Sequence, residues 1–150
     1  MDYHILKLIH IVSATLMIGA GIGSAFYLFL SYKRFQVSTL KDVLKLVVLA
    51  DSVFTAPSVV IQFITGLMLS DLLNLTSTDW FWLVLAVSGV VLVMWLRAAF
   101  LQIKLRKMLE RQNEITPEFD RLMKVWFYLG IPSFLGALYL YYLMVYKPFV

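Results

Sequence analysis

The sequence predicts an all-α fold, a four-transmembrane-helix bundle whose second and third spans continue as helices on the cytoplasmic side. Three observations predict it. Residues 8–31, 52–70, 80–96 and 125–146 carry no charged side chain, and a run of about 20 apolar residues crosses roughly 30 Å of hydrocarbon as a helix. The chain is 61% hydrophobic and 15% charged, where a soluble domain has about 45–50% and about 25%. None of the runs alternates apolar with polar residues. Backbone in lipid must satisfy its own hydrogen bonds, so such runs are helices and not barrel strands. This composition excludes a disordered chain, a basic nucleic-acid-binding domain and an ordinary water-soluble enzyme. The absence of cysteine excludes disulfides, thiolate metal sites and cysteine nucleophiles. With 150 residues the chain reads as a single integral membrane domain, residues 1–150.

The first span covers about residues 5–31. Asp2 near the start and the length of the apolar run distinguish it from a cleaved signal peptide. Residues 40–50 are apolar apart from Lys41, Asp42 and Lys45, and form a helical lead into the second span, about residues 52–72. Pro57 removes a backbone donor there and kinks the helix. The third span, about residues 80–100, runs on through residues 101–113, where apolar and basic residues mix as on an amphipathic helix. A polar stretch ends it. Thr116 caps the next helix, Pro117 takes its first position, and the fourth span covers about residues 122–146.

Eleven of the thirteen basic residues fall in two connecting segments, one holding Lys33 to Lys45 and the other Arg97 to Lys124. The turn at residues 71–79 holds two acids and no base. By the positive-inside rule the basic side is cytoplasmic, so both termini and that turn lie outside a bacterial cytoplasmic membrane. The net charge of +4 is thereby an orientation signal, and no nucleic-acid partner is needed to explain it. The partner it implies is the lipid bilayer. Trp80, Trp82, Tyr3 and the tyrosines between 139 and 146 read as an outer aromatic belt. Asp51 and Arg97 come out near the cytoplasmic boundary, where they pair or where Arg97 snorkels to the headgroups.

Polar groups at membrane depth are costly and mark functional positions. His10 sits about two turns into the first span, and Lys7, His10, Ala14, Met17, Gly21 and Ser24 form one stripe at helical spacing. Imidazole is a common metal and haem ligand, and the bland alternative is a histidine satisfied by a neighbouring helix. Gly19 and Gly23 form a GxxxG pair, which serves tight helix packing or a smooth wall for a flat cofactor. Ser58, Gln62 and Thr65 make a polar stripe on the second span, with Gly66 beside it. Those groups either join helices or hydrogen-bond a quinone or a propionate. His4 and His10 lie about 120° apart around the helix and cannot easily hold one ion together. A second axial ligand to a haem would come from a methionine such as Met17, from lysine, from water or from a second protomer.

The stretch Leu6-Lys7-Leu8-Ile9-His10-Ile11 resembles the first-helix motif of the HemJ-type protoporphyrinogen oxidase family. Residues 143–149, which close with Lys147-Pro148-Phe149, look like that family's final Lys-Pro-Phe signature, and Pro57 and Gly66 sit about where it has a proline and a glycine. More closely, the chain resembles small predicted bacterial integral membrane proteins grouped with HemJ and the CopD-like membrane domains. The resemblance implies b-type haem bound through His10, with Lys7 as its motif partner. Met17 stands where the HemJ family has tryptophan and Val84 where it has lysine, and the third-helix histidine is missing. The oxidase activity is therefore not carried over.

The leading functional expectation is a haem-binding redox protein exchanging electrons with a quinone or another redox partner. Its cofactor-binding residues are His10, Lys7, Met17, Gly21, Gln62 and Thr65, with His10 on the metal; a homodimer is compatible with it. The alternatives are a non-enzymatic membrane subunit or assembly factor, and a copper-handling membrane protein using His10 and methionines.

Overall fold

The structure, a computed structural model, describes residues 2–148 and 150. Phe149 of the closing Lys-Pro-Phe motif lies outside the described residues. Helix α1 spans Tyr3–Arg34 and starts on Asp2, whose carboxylate accepts the His4 N–H at 3.1 Å. Such a cap satisfies one of the amides that a helix start leaves free. Helix α2, Val37–Ala50, passes through a π turn at Asp51–Thr55 into α3, Ala56–Leu72. The three form a single helical span of 36 residues, Val37–Leu72. Pro57, where the sequence predicts a kink, follows directly on this π turn. A proline ring clashes with the carbonyl four residues back, here that of Val53, which sits inside the widened turn.

Helix α4, Asp79–Gln112, starts on Thr78, whose hydroxyl accepts the Phe81 N–H at 3.3 Å, and ends at Asn113 in the left-handed region (φ 53°). Asn is one of the few residues that enters that region at low cost. Thr116 caps α5, Pro117–Tyr146, through the Phe119 N–H at 3.2 Å, with Pro117 in the first turn. All four spanning units are long and apolar enough to cross a membrane. The helical continuations of the second and third spans form as the sequence predicts.

Two helix pairs make up the bundle, α4 against α5 and α1 against α3, and α2 bridges them by touching α1 and α4. The buried core gathers at the basic end: Leu28, Leu40, Leu44, Leu105, Leu109, Phe119 and Met123 exclude nearly all solvent. Phe29 stacks on Phe127 with centroids 4.8 Å apart, and the Tyr32 hydroxyl donates to Asp120. At the termini end the two pairs separate and a cavity opens.

Several expectations need correction. Asp51 is buried, yet its hydrogen bond comes from the Thr55 hydroxyl at 2.8 Å. Arg97 is exposed and forms no ion pair with it among the described residues. Trp80 is not a belt residue: it is buried and its indole N–H donates to the Leu143 carbonyl at 2.7 Å, while Trp82 stays exposed. Gly19 and Gly23 do not pack closely within the chain, since a Cβ built on either meets nothing within 4 Å. The close approach belongs to Gly136, where an added Cβ would lie 2.5 Å from Val91 Cγ2. Substituting Gly136→Ala is expected to destabilise the α4–α5 pair by about 1–3 kcal/mol through overpacking. Gly130→Ala, with open space around it, is the control that leaves the thermal unfolding midpoint in detergent unchanged.

Candidate functional site

The cavity at the termini end has a volume of about 620 Å³, within the usual range for small-molecule and cofactor sites. Helix α1 supplies Lys7, His10, Ala14 and Met17 to its wall, and α3 supplies Gln62, Phe63 and Gly66. Opposite them stand Trp80, Phe81 and Ser88 of α4 and Tyr141 and Met144 of α5. Most of this surface is apolar. The polar groups concentrate on the α1–α3 side, where the two sequence stripes meet.

A chain of hydrogen bonds joins those stripes and determines the state of His10. The Thr65 hydroxyl has one proton and donates it to the Ile61 carbonyl at 2.6 Å. Thr65 Oγ1 also lies 2.8 Å from His10 Nδ1. With that proton on the carbonyl, the hydroxyl accepts from His10 in the tautomer that carries its proton on Nδ1, and the ring is taken in that form. The other ring nitrogen, Nε2, therefore presents its lone pair, and the Gln62 side-chain amide donates to it at 2.9 Å. Gln62 Oε1 in turn accepts from the Ser13 hydroxyl at 2.6 Å, a proton that Ser13 shares with the His10 carbonyl at 2.9 Å. The chain runs without a break from Thr65 through His10 and Gln62 to Ser13. Gly66 makes room for the imidazole: a Cβ at that position would press on His10 Cε1 at 3.3 Å.

This arrangement matches how metal-binding histidines are held, with one ring N–H donated to a fixed acceptor and the opposite nitrogen free to coordinate. In His10 the Gln62 amide stands at that opposite nitrogen, 2.9 Å away. Lys7 and Lys147 also line the cavity, their ammonium groups 5.6 Å and 5.9 Å from the ring centroids of Tyr3 and Trp80. An apolar cavity with a neutral imidazole in its wall and two cations suits a flat apolar ligand bearing anionic groups.

Of the six residues singled out from sequence, His10, Lys7, Met17 and Gln62 line the cavity. Thr65 stands behind His10 as its hydrogen-bond acceptor. Gly21 lies one turn beyond the last α1 residue of the wall, Ile18, and has open space beside it. The expected face position of Ser58, Gln62 and Thr65 holds, with Ser58 and Thr65 buried. Sequence reasoning missed Ser13 and Lys147. Ser13 carried a signal, a hydroxyl three residues after His10 in an otherwise apolar run. Among the described residues no group of three His, Asp or Glu side chains gathers to hold a bare metal ion.

A family model described as "Predicted integral membrane protein (DUF2269)" matches residues 4–148. The chain belongs to that family and is a multi-pass integral membrane protein. No curated protein and no solved structure matches it.

The tautomer of His10 is open to direct measurement by nitrogen NMR of the imidazole. The wild-type protein is expected to show one neutral form with the proton on Nδ1. In Thr65→Val the acceptor is gone, so the ring should exchange between tautomers, and stability should fall by about 1 kcal/mol, the scale of hydrogen bonds between membrane helices. A wild-type proton on Nε2 would contradict the network.

Proposed function

We propose that this member of the predicted integral membrane protein family binds b-type haem in the cavity at the termini end and serves as a small redox protein of the bacterial cytoplasmic membrane. The observation that carries the reading is the placement of His10 in the cavity wall, with Nδ1 2.8 Å from Thr65 Oγ1 and Nε2 2.9 Å from the Gln62 amide. When bound, haem supplies one-electron transfer, for which a quinone is a suitable partner. The chain's own residues do the rest. His10 would hold the iron through Nε2 with Gln62 turned aside, and Thr65 would raise the basicity of that nitrogen by accepting the opposite N–H. Lys7 and Lys147 would pair with the anionic groups of the haem. Phe63, Trp80 and Phe81 cover a flat macrocycle and exclude water. Met17 and Met144, which also line the cavity, would be the thioethers available to the iron. The likeness of residues 6–11 and of the chain's end to the HemJ-type family supports the same assignment.

A second reading, a non-enzymatic subunit or assembly factor, draws on the open face at Gly19 and Gly23. Small residues of this spacing admit a helix of another protein. Under it, a partner co-purifies in mild detergent and Gly19→Leu releases that partner.

The haem reading is tested by the absorbance spectrum of the protein purified from haem-supplemented cells. A Soret band is expected in the wild type, lost in His10→Ala and strengthened or unchanged in Gln62→Ala, which uncovers Nε2. No Soret band in the wild type removes the proposal. The orientation, with the basic end cytoplasmic, is tested with single cysteines, since the chain has none. Asn74→Cys is expected to react with an impermeant thiol reagent in intact cells, and Gln112→Cys only after the membrane is opened.

A further inference from the structure

The outward face of α4 changes character partway along the helix. Val93, Arg97, Phe100, Lys104, Lys107 and Arg111 recur at alternating spacings of four and three, and all six are exposed, so they form one stripe. Toward the termini end the same face is apolar, with Trp82 and Ala86 exposed on it. From Arg97 onward, every member except Phe100 is basic. Among the described residues Lys104 pairs with Glu118 of α5 at 2.9 Å, while Arg97, Lys107 and Arg111 pair with no acid. The stripe therefore keeps an excess of positive charge.

Arg97 lies at a depth where lipid surrounds the helix. Phe100, one turn nearer the basic end, is 70% exposed. Val48 and Ser52 share a small cavity wall with Ala99 and Ile103, which places Leu49 at the level of Phe100, and Leu49 is exposed as well. Large apolar side chains turned outward at one level on two helices mark that level as hydrocarbon or its edge. A guanidinium at that depth reaches for the headgroups and for an anion there. Its fork of donors fits the oxygens of a phosphate. Lys104 follows two turns later, about 10 Å along the axis. Helical side chains lean toward the N-terminus, so Lys104 leans back toward Arg97 across Phe100. Lys107 adds a further charge roughly 5 Å beyond it.

We propose that Arg97, Lys104 and Lys107 hold the headgroup of an anionic phospholipid, whose chains lie along Phe100 and Val93. The order of the stripe selects this occupant. It runs apolar and then basic in the direction in which a lipid runs from chain to headgroup, and an acidic peptide has no use for the apolar half. Charge selects the kind of lipid. A zwitterionic headgroup brings its own ammonium and leaves the basic excess uncompensated, whereas an anionic one neutralises part of it. The site stands independently of what the larger cavity binds.

The test uses the full chain in mixed micelles of detergent with either phosphatidylglycerol or phosphatidylcholine. The unfolding midpoint of the wild type is expected to rise saturably with phosphatidylglycerol and much less with phosphatidylcholine or inorganic phosphate. Native mass spectrometry counts the phosphatidylglycerol retained. Arg97→Gln should weaken the response about tenfold, the loss of one charged hydrogen-bonding group, and Lys107→Gln should weaken it in the same direction. Lys107 is on the water side of the stripe, so its variant serves if Arg97→Gln does not fold. Lys45→Gln, which removes the same charge from α2 and from another face, should respond as the wild type does. The proposal is overturned if the two lipids, or inorganic phosphate, stabilise equally. It is equally overturned if Arg97→Gln and Lys107→Gln both keep the wild-type response, or if Lys45→Gln loses as much as they do, which assigns the effect to net charge.

Discussion

Water is absent from the middle of this molecule's surroundings, and each side-chain hydroxyl, amide and imidazole there must find its partner inside the bundle. That constraint orients the helices. Asp51, Thr55, Ser58, Gln62 and Thr65 recur at alternating spacings of four and three along the second span, so they share one face. Turned outward, that face would strand five polar groups in hydrocarbon, at several kcal/mol each. Turned inward, it meets His10 and Ser13 of α1 at one end and Gln102 of α4 at the other. The rotation of the second span follows from these partners, and the rotation of α1 follows from His10.

The hydrophobic effect acts in a different place. Between helices in lipid it contributes little, because acyl chains are as apolar as leucine. The tightly buried leucines, Leu40, Leu44, Leu105 and Leu109, lie on the continuations of the second and third spans, beyond the charge-free runs. Water reaches the helices there, and burying apolar surface is favourable. The bundle is accordingly closed at its basic end by a core and held farther along by polar contacts and local packing such as Val91 on Gly136. At the other end, which the main core does not reach, buried residues such as Leu6, Trp80 and Leu143 pack locally, and the cavity lies among them.

The four spans were readable from charge-free runs alone, because the cost of a charge in lipid imposes a one-dimensional pattern. The Thr116–Pro117 start and the polar stripe were readable for similar local reasons. What stayed hidden was relative rotation. Around α4 nearly every residue between 80 and 96 is apolar, so periodicity does not distinguish Trp80, sealed against Leu143, from Trp82, which faces outward. The same uniformity concealed that Gly19 and Gly23 face away from the other helices while Gly136 faces a neighbour. Depth placed Asp51 and Arg97 at one boundary, as a pair or with Arg97 reaching the headgroups, but depth does not give azimuth: Arg97 stands exposed, and Asp51 takes the Thr55 hydroxyl. Of the candidate site, the residue types on α1 and α3 were legible. Their joining into one hydrogen-bonded chain was not, since it depends on which helix stands opposite.

That chain also sets the energetics of any ligand at His10. A coordinating imidazole left bare in an apolar cavity would carry the desolvation cost of an unpaired acceptor, about 1–3 kcal/mol. The Gln62 amide removes that cost in the ligand-free protein, and Ser13 holds the amide in the orientation that does so. A ligand must then displace one hydrogen bond between membrane helices, worth about 0.6 kcal/mol on average. Weak hydrogen-bond acceptors gain little by that exchange, and a group that coordinates the nitrogen strongly gains a great deal. The network that lets the bundle tolerate a histidine in lipid is therefore also the barrier that the proposed ligand would have to overcome at His10.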